Sequence, residues 1–131
     1  MPKLHLQNGK IKKKTFIVIY KPGDVVLVNF PFTDLLSSKV RPAIVITTKG
    51  EDIIILGVFS KIPEIIQESW FVIDETAEYF AKTGLKKKSV IKTEKIAVIH
   101  SPIIRKRLGS LHENIFNIVK AKLKKTLELE G

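Results

Sequence analysis

The stretch AIVITTKGEDIIILGVF, Ala43 to Phe59, holds two apolar, β-branched runs separated by the polar link Lys49-Gly50-Glu51-Asp52. Ala43 to Thr48 and Ile53 to Phe59 are each strand-sized, and a short link carrying Gly and Asp suits a hairpin, so the two runs are expected to pair antiparallel. Toward the N-terminus, Val25 to Phe30 reads as another strand, entered through a Pro22-Gly23 turn, and Thr15 to Tyr20 (TFIVIY) as one more. A loop with Pro31, Asp34, Ser37 and Ser38 connects Phe30 to the hairpin.

Toward the C-terminus, Trp70 to Ile73 is strand-like. Asp74 to Lys82 predicts a short helix with Asp74 as N-cap and Gly84 as its stop, and Val90 to Ile99 a last strand. Ser110-Leu111-His112-Glu113 matches the capping box, so a helix is expected to start at Ser110. Ile115, Phe116, Val119, Leu123 and Leu127 then recur at three- and four-residue spacing on one face, with Lys120, Lys122, Lys124 and Lys125 largely on the other. Several short strands followed by one helix predict a small antiparallel barrel or half-open sheet with a helical cap, in the all-β or α+β class.

At 131 residues and 44% apolar content the chain fits one domain with one core. No apolar run approaches the roughly 20 residues that cross a bilayer, and the N-terminus has no secretory apolar region. The absence of cysteine rules out disulfides and thiolate metal sites. A soluble protein of the reducing cytoplasm, without membrane contact, is expected.

The net charge of +10 is unevenly spread. Residues 1–14 carry five Lys and no acid, residues 15–81 five basic residues against nine acids, and residues 82–107 nine basic residues against Glu94 alone. A basic stretch beside an acidic middle is the footprint of a phosphate-binding surface. A Lys- and Ile-rich composition with few Gln is also what hot environments favour. Residues 1–14 lack periodicity and read as a loose basic tail or short arm.

His5, His100 and His112 lie in the tail, at a strand end and in a first helical turn, which is no ligand spacing for a metal, and no Gly-rich phosphate loop follows a strand. The chemistry is left to Arg, Lys, Ser, Thr and carboxylates. Arg41 precedes Pro42 and an apolar strand, where its planar fork can take a phosphate bidentately; the alternative is a surface pair with Asp34. Ser60 ends a strand and can donate to a phosphoryl oxygen or simply cap a turn. Lys92 and Glu94, two apart on a strand, share a face, where an exposed ion pair between them would be worth under about 1 kcal/mol.

The ordered motifs Gly23-Asp24-Val25-Val26-Leu27-Val28-Asn29-Phe30-Pro31-Phe32-Thr33-Asp34, Arg41-Pro42-Ala43-Ile44-Val45-Ile46, Gly57-Val58-Phe59-Ser60, Ser89 to Ile99, and Ile103-Ile104-Arg105-Lys106 leading through Leu108-Gly109 into the last helix resemble the MazF/PemK toxins, particularly their FPFTD branch. The resemblance covers roughly residues 21–128, leaving 1–20 as a basic N-terminal extension ahead of a 21–131 domain. It implies an SH3-like antiparallel β-barrel with a short helix and a C-terminal helix, a homodimer, and a groove for single-stranded RNA that a cognate antitoxin occupies. The implied activity is that of a growth-inhibiting endoribonuclease that needs no metal or cofactor and leaves 2′,3′-cyclic phosphate and 5′-hydroxyl ends.

Residue by residue, the resemblance places catalysis on Arg41, Ser60, Lys92 and Glu94, with Lys92 where Arg is common and Glu94 where Asp is common. RNA contacts fall to Thr33, Ser37, Ser38 and Lys39 before Arg41, to Lys61 after Ser60, and to Lys86, Lys87 and Lys88. Arg, with a pKa above about 12, is a poor base but a good clamp for developing phosphorane charge, so Arg41 is the electrostatic stabiliser and a candidate proton donor. Glu94 is the candidate base and Lys92 a second cation. Three other readings stand beside this one: a barrel that binds nucleic acid without cutting it, a gyrase-poisoning toxin of the same fold, which would not need the strand-mouth Arg, and a plain structural or interaction domain whose basic stretch is only solvated surface.

Overall fold

The computed structural model describes residues 6–7, 10–11, 18–29 and 40–129. In chain order the elements are a minimal hairpin, β1 (Leu6–Gln7) and β2 (Lys10–Ile11), then β3 (Asp24–Asn29), β4 (Val40–Lys49), β5 (Asp52–Phe59), β6 (Trp70–Ile73), α1 (Phe80–Thr83), β7 (Ser89–His100), a 3-10 turn (Ser101–Ile103), β8 (Ile104–Ser110) and α2 (Glu113–Thr126). The chain is mainly β, as expected.

The quoted hairpin lies in the middle of a six-stranded antiparallel sheet of order β6-β7-β5-β4-β3-β8. Lys49 pairs with Asp52 across the turn, and Gly50, at φ +64°, supplies the left-handed conformation that so tight a connection needs. The Glu51 carbonyl of this turn accepts a 2.8 Å bond from the Ser101 amide, which ties the hairpin tip to the 3-10 turn.

Side chains alternate across a strand, and here both faces are covered. Val25, Ile44, Leu56, Val58, Ile73 and Ile91 pack on one face with Phe116, Val119 and Leu123 of α2. Val26, Val28, Ala43, Val45, Ile53, Ile55, Ile99 and Ile104 form the core of the other. Two-sided burial is why these strands read as continuous apolar runs.

The ladder is open: β6 and β8 are its edges, and no pairing between them closes it among the described residues. Bulges interrupt it at Val45/Thr47, at Val25/Val26, at Leu27/Val28 and at Leu56/Gly57. At the last of these the β7 partner jumps from Ile96 to Lys92, so Thr93, Glu94 and Lys95 face no residue of β5. Such a bulge bends its strand and re-aims its side chains.

Four sequence expectations need correction. Val90 to Ile99 is not the last strand, because β8 follows it. Only Ile104 of β8 is buried, and the Arg105-Lys106-Arg107 run hides its strand character. The helix expected over 74–82 shrinks to Phe80–Thr83, because the Asp74 carboxylate accepts from both the amide and the hydroxyl of Thr76, each at 2.9 Å, and locks a local turn; the same bonds hold its carboxyl below the ordinary carboxylate range. The Gly84 stop is as expected, with φ +75°. Ser110 does not cap α2: it is the last residue of β8, paired with Asp24, and His112 caps instead, its Nδ1 accepting from the Asn114 amide at 3.0 Å. Of Thr15 to Tyr20, residues 15–17 lie outside the described residues, and 18–20 form no strand.

Gly84 and Gly109 bring the end of α1 against β8. A Cβ on Gly109 would stand 2.1 Å from the Lys82 carbonyl oxygen, and one on Gly84 would stand 2.1 Å from that of Leu108. Backbone meets backbone there, so no side chain can yield. Gly109→Ala is expected to cost at least about 2 kcal/mol of stability by overpacking, against roughly 1 kcal/mol for Gly50→Ala, where open space leaves only the left-handed φ to oppose a Cβ. Thermal and urea unfolding of the two variants measures the difference; equal losses would refute the close crossing.

Candidate functional site

The β4–β5 ladder begins at Ala43–Gly57, and Pro42, which has no N–H to donate, sits just outside it. Carrying that register two residues outward sets Arg41 against Phe59. The Arg41 guanidinium carbon indeed lies 5.0 Å from the centre of the Phe59 ring. Arg41 is half-buried, and its Nε is buried without a hydrogen-bond partner among the described residues. A buried donor left unpaired costs about 1–3 kcal/mol. Asp34, its alternative partner by sequence, lies outside them, as do Thr33, Ser37, Ser38 and Lys39.

Arg41 and Ser60 line one cavity of about 370 Å³ together with Lys86, Lys87, Ser89 and Lys106, over an apolar floor that includes Leu27, Pro42, Val58 and Leu108. The lysines arrive by two routes. Lys86 and Lys87 follow Gly84 on the loop that the glycine crossing pins to β8, and Lys106 comes from β8 itself. Lys88 lies off the cavity, its amide bonded to Glu75 at 3.0 Å, and exposed Lys61 does not line it either.

Lys92 and Glu94 are placed beside this cavity rather than in its lining. The Lys92 ammonium sits 4.9 Å from the Phe59 ring centre and 4.6 Å from that of Trp70. Glu94 is exposed, and both its carboxylate oxygens accept from Trp70 Nε1 at 2.9 Å. The two share a face, as strand alternation predicts, yet they do not pair: the ion pairs within 4.0 Å among the described residues are His100–Glu51 and Arg107–Asp24. The result is a row, Arg41–Phe59–Lys92–Trp70–Glu94, in which charges alternate with rings.

Sequence reasoning missed Phe59, Trp70, Ser89 and Lys106. Lys106 was counted in the basic stretch, but without β8 its direction was invisible. Trp70 stood in a recognised strand, and nothing in spacing marks a ring as a partner for charges. Among the described residues no group of three or more His, Cys, Asp or Glu is placed to hold a metal ion, and no helix is long and apolar enough to cross a membrane.

No curated protein matches the chain. Among solved structures it is similar to MazF of Deinococcus radiodurans in a MazE–MazF crystal structure, at 16% identity and TM-score 0.66 over 86% of this chain and 100% of that one. A mycobacterial endoribonuclease in complex with its cognate antitoxin matches at 12% identity and TM-score 0.64, over 86% and 99%. The Mycobacterium tuberculosis toxin MazF-mt6 matches at 12% identity and TM-score 0.63, over 82% and 99%. At such identities these likenesses establish the fold. Family membership rests on the sequence itself, since the family described as PemK-like, MazF-like toxin of type II toxin–antitoxin system matches residues 21–127. The chain therefore belongs to the PemK-like, MazF-like toxins of type II toxin–antitoxin systems.

Proposed function

We propose that the chain is the toxin of such a system and acts as an endoribonuclease on single-stranded RNA, stopping translation and growth. The observation that carries this reading is Arg41, which lines one cavity with Ser60 and three lysines and whose buried Nε has no hydrogen-bond partner among the described residues. In the reaction an RNA 2′-oxygen attacks the adjacent phosphorus, the bond to the 5′-oxygen breaks, and a 2′,3′-cyclic phosphate and a 5′-hydroxyl result. Arg41 clamps the phosphorane oxygens and gives the leaving 5′-oxygen its proton, which solvent later replaces, and Ser60 donates to a phosphorane oxygen. Preformed donors of this kind act where charge develops. Glu94 takes the 2′-proton, and Lys92 stabilises the charge beside it. For this the strand must run from the Arg41 cavity across Phe59 toward Trp70.

The donor set handles phosphate with cations and hydroxyls, which supports cleavage without a divalent ion. The solved complexes of similar toxins with their antitoxins support a cognate antitoxin as partner, and we place the pair in the cytoplasm. We further take the chain to be a homodimer, the commonest closed assembly, and its sheet to be an opened SH3-like barrel, on the support of its two-sided burial.

Purified protein is expected to cut single-stranded RNA in EDTA and to spare double-stranded RNA. Arg41→Ala should lower the rate by roughly 100- to 1000-fold while weakening RNA affinity by no more than about 1–3 kcal/mol, and Arg41→Lys should restore binding but little rate. Gel assays of 5′-labelled RNA read both. Near-wild-type cutting by Arg41→Ala would remove Arg41 from the site, and a wild type that binds RNA without cutting it would make the chain a binding module.

Neutralising Lys86 and Lys87 together should weaken RNA binding and flatten the slope of log affinity against log salt by about 1 to 1.5, since each phosphate contact on a single strand contributes roughly 0.7. The cut positions should stay unchanged. An unaltered salt slope would take these lysines off the RNA path.

A further inference from the structure

Trp70, the sole tryptophan of the chain, stands on the edge strand β6 directly opposite Lys92. Its indole is engaged on two sides: Nε1–H donates to both oxygens of Glu94 at 2.9 Å, and the ring face carries the Lys92 ammonium 4.6 Å from its centre. Strand alternation in β7 makes this arrangement. Thr93 turns inward and is fully buried, its hydroxyl donating to the Ser69 carbonyl at 2.8 Å and lying 2.6 Å from the Thr126 hydroxyl. Lys92 and Glu94, on either side of it, turn the other way and meet Trp70. A lysine and a glutamate two apart on one face would ordinarily close an ion pair. An exposed pair is weak and screened by salt, whereas a cation on an indole face and a charge-assisted N–H bond together hold each group in a fixed place.

We infer that Trp70 is a positioning residue: it keeps Lys92 and Glu94 apart, one on its ring face and one on its N–H edge, so that neither neutralises the other and both stay open to RNA passing the Arg41 cavity. This rests on the RNA-cleavage reading and adds to it a residue that touches neither phosphate nor 2′-hydroxyl. Phenylalanine at position 70 would keep a ring for Lys92 and lose the donor to Glu94, which separates the two tasks.

The test has one arm without RNA and one with it. In ¹⁵N-labelled protein the single indole N–H gives a single resonance, and Glu94→Gln, an exposed change that leaves the fold intact, is expected to move it upfield because the acceptor loses its charge. An unmoved resonance overturns the inference whatever the protein does to RNA. In cleavage assays Trp70→Phe should lower kcat roughly tenfold with KM within about twofold, a part of the about 10²- to 10⁴-fold that a positioned base contributes. Trp70→Phe combined with Glu94→Gln should be no slower than Glu94→Gln alone, because the indole N–H acts only through Glu94. Wild-type kcat in Trp70→Phe, or a double variant slowed by the product of the single effects, overturns the inference. RNA left intact by the wild type overturns the cleavage reading itself, which the RNA-free indole measurement tells apart from a failed Trp70 contact.

Discussion

The hairpin of β4 and β5 is apolar on both faces, and the rest of the chain is arranged to keep water from it. Ile44 and Leu56 point one way, Val45 and Ile55 the other, and all four are fully buried. Each such side chain contributes about 1.5–3 kcal/mol when removed from water, so neither face can be left open. The C-terminal helix therefore lies across one face through Phe116, Val119 and Leu123, while Ile99 and Ile104 bring β7 and β8 over the other. The strands around the hairpin are cover before they are anything else.

The candidate site forms where that cover ends. Pairing between β4 and β5 stops at Ala43–Gly57, and beyond it Arg41 stays paired with Val28 of β3 and Phe59 with Val90 of β7, with Ser60 just past the end of β5. Placement on strand ends rather than on a free loop gives the guanidinium a fixed position, which electrostatic stabilisation requires. The lysines come to it through the Gly84–Gly109 crossing, where two backbones approach too closely for any side chain. A backbone packing feature thus sets the local electrostatics.

Beside the cavity, the pairing of β6 with β7 solves a different problem. Two apart on one face, Lys92 and Glu94 would without Trp70 be free to neutralise each other. Burying Thr93 and presenting Trp70 between its neighbours keeps opposite charges close together without contact.

The sequence by itself determined the elements whose signals are local. The β4–β5 hairpin with its Gly50 turn, the Trp70–Ile73 strand, the apolar stripe of α2, the Gly84 stop and the position of Arg41 at a strand mouth all follow from composition, turn chemistry and periodicity within a few residues. Only the tertiary structure decided the rest, because those features depend on partners distant in sequence. Arg105, Lys106 and Arg107 form a strand only because β3 offers them a pairing edge, and once that strand claims Ser110 the capping role passes to His112. Asp74 forms a turn instead of a helix start because its carboxylate finds Thr76 first. The meeting of Trp70 with Lys92 and Glu94 needs β6 paired to β7 in the register that sets Trp70 opposite Lys92, and hydrophobic spacing within either strand does not encode which residues of two strands come opposite each other.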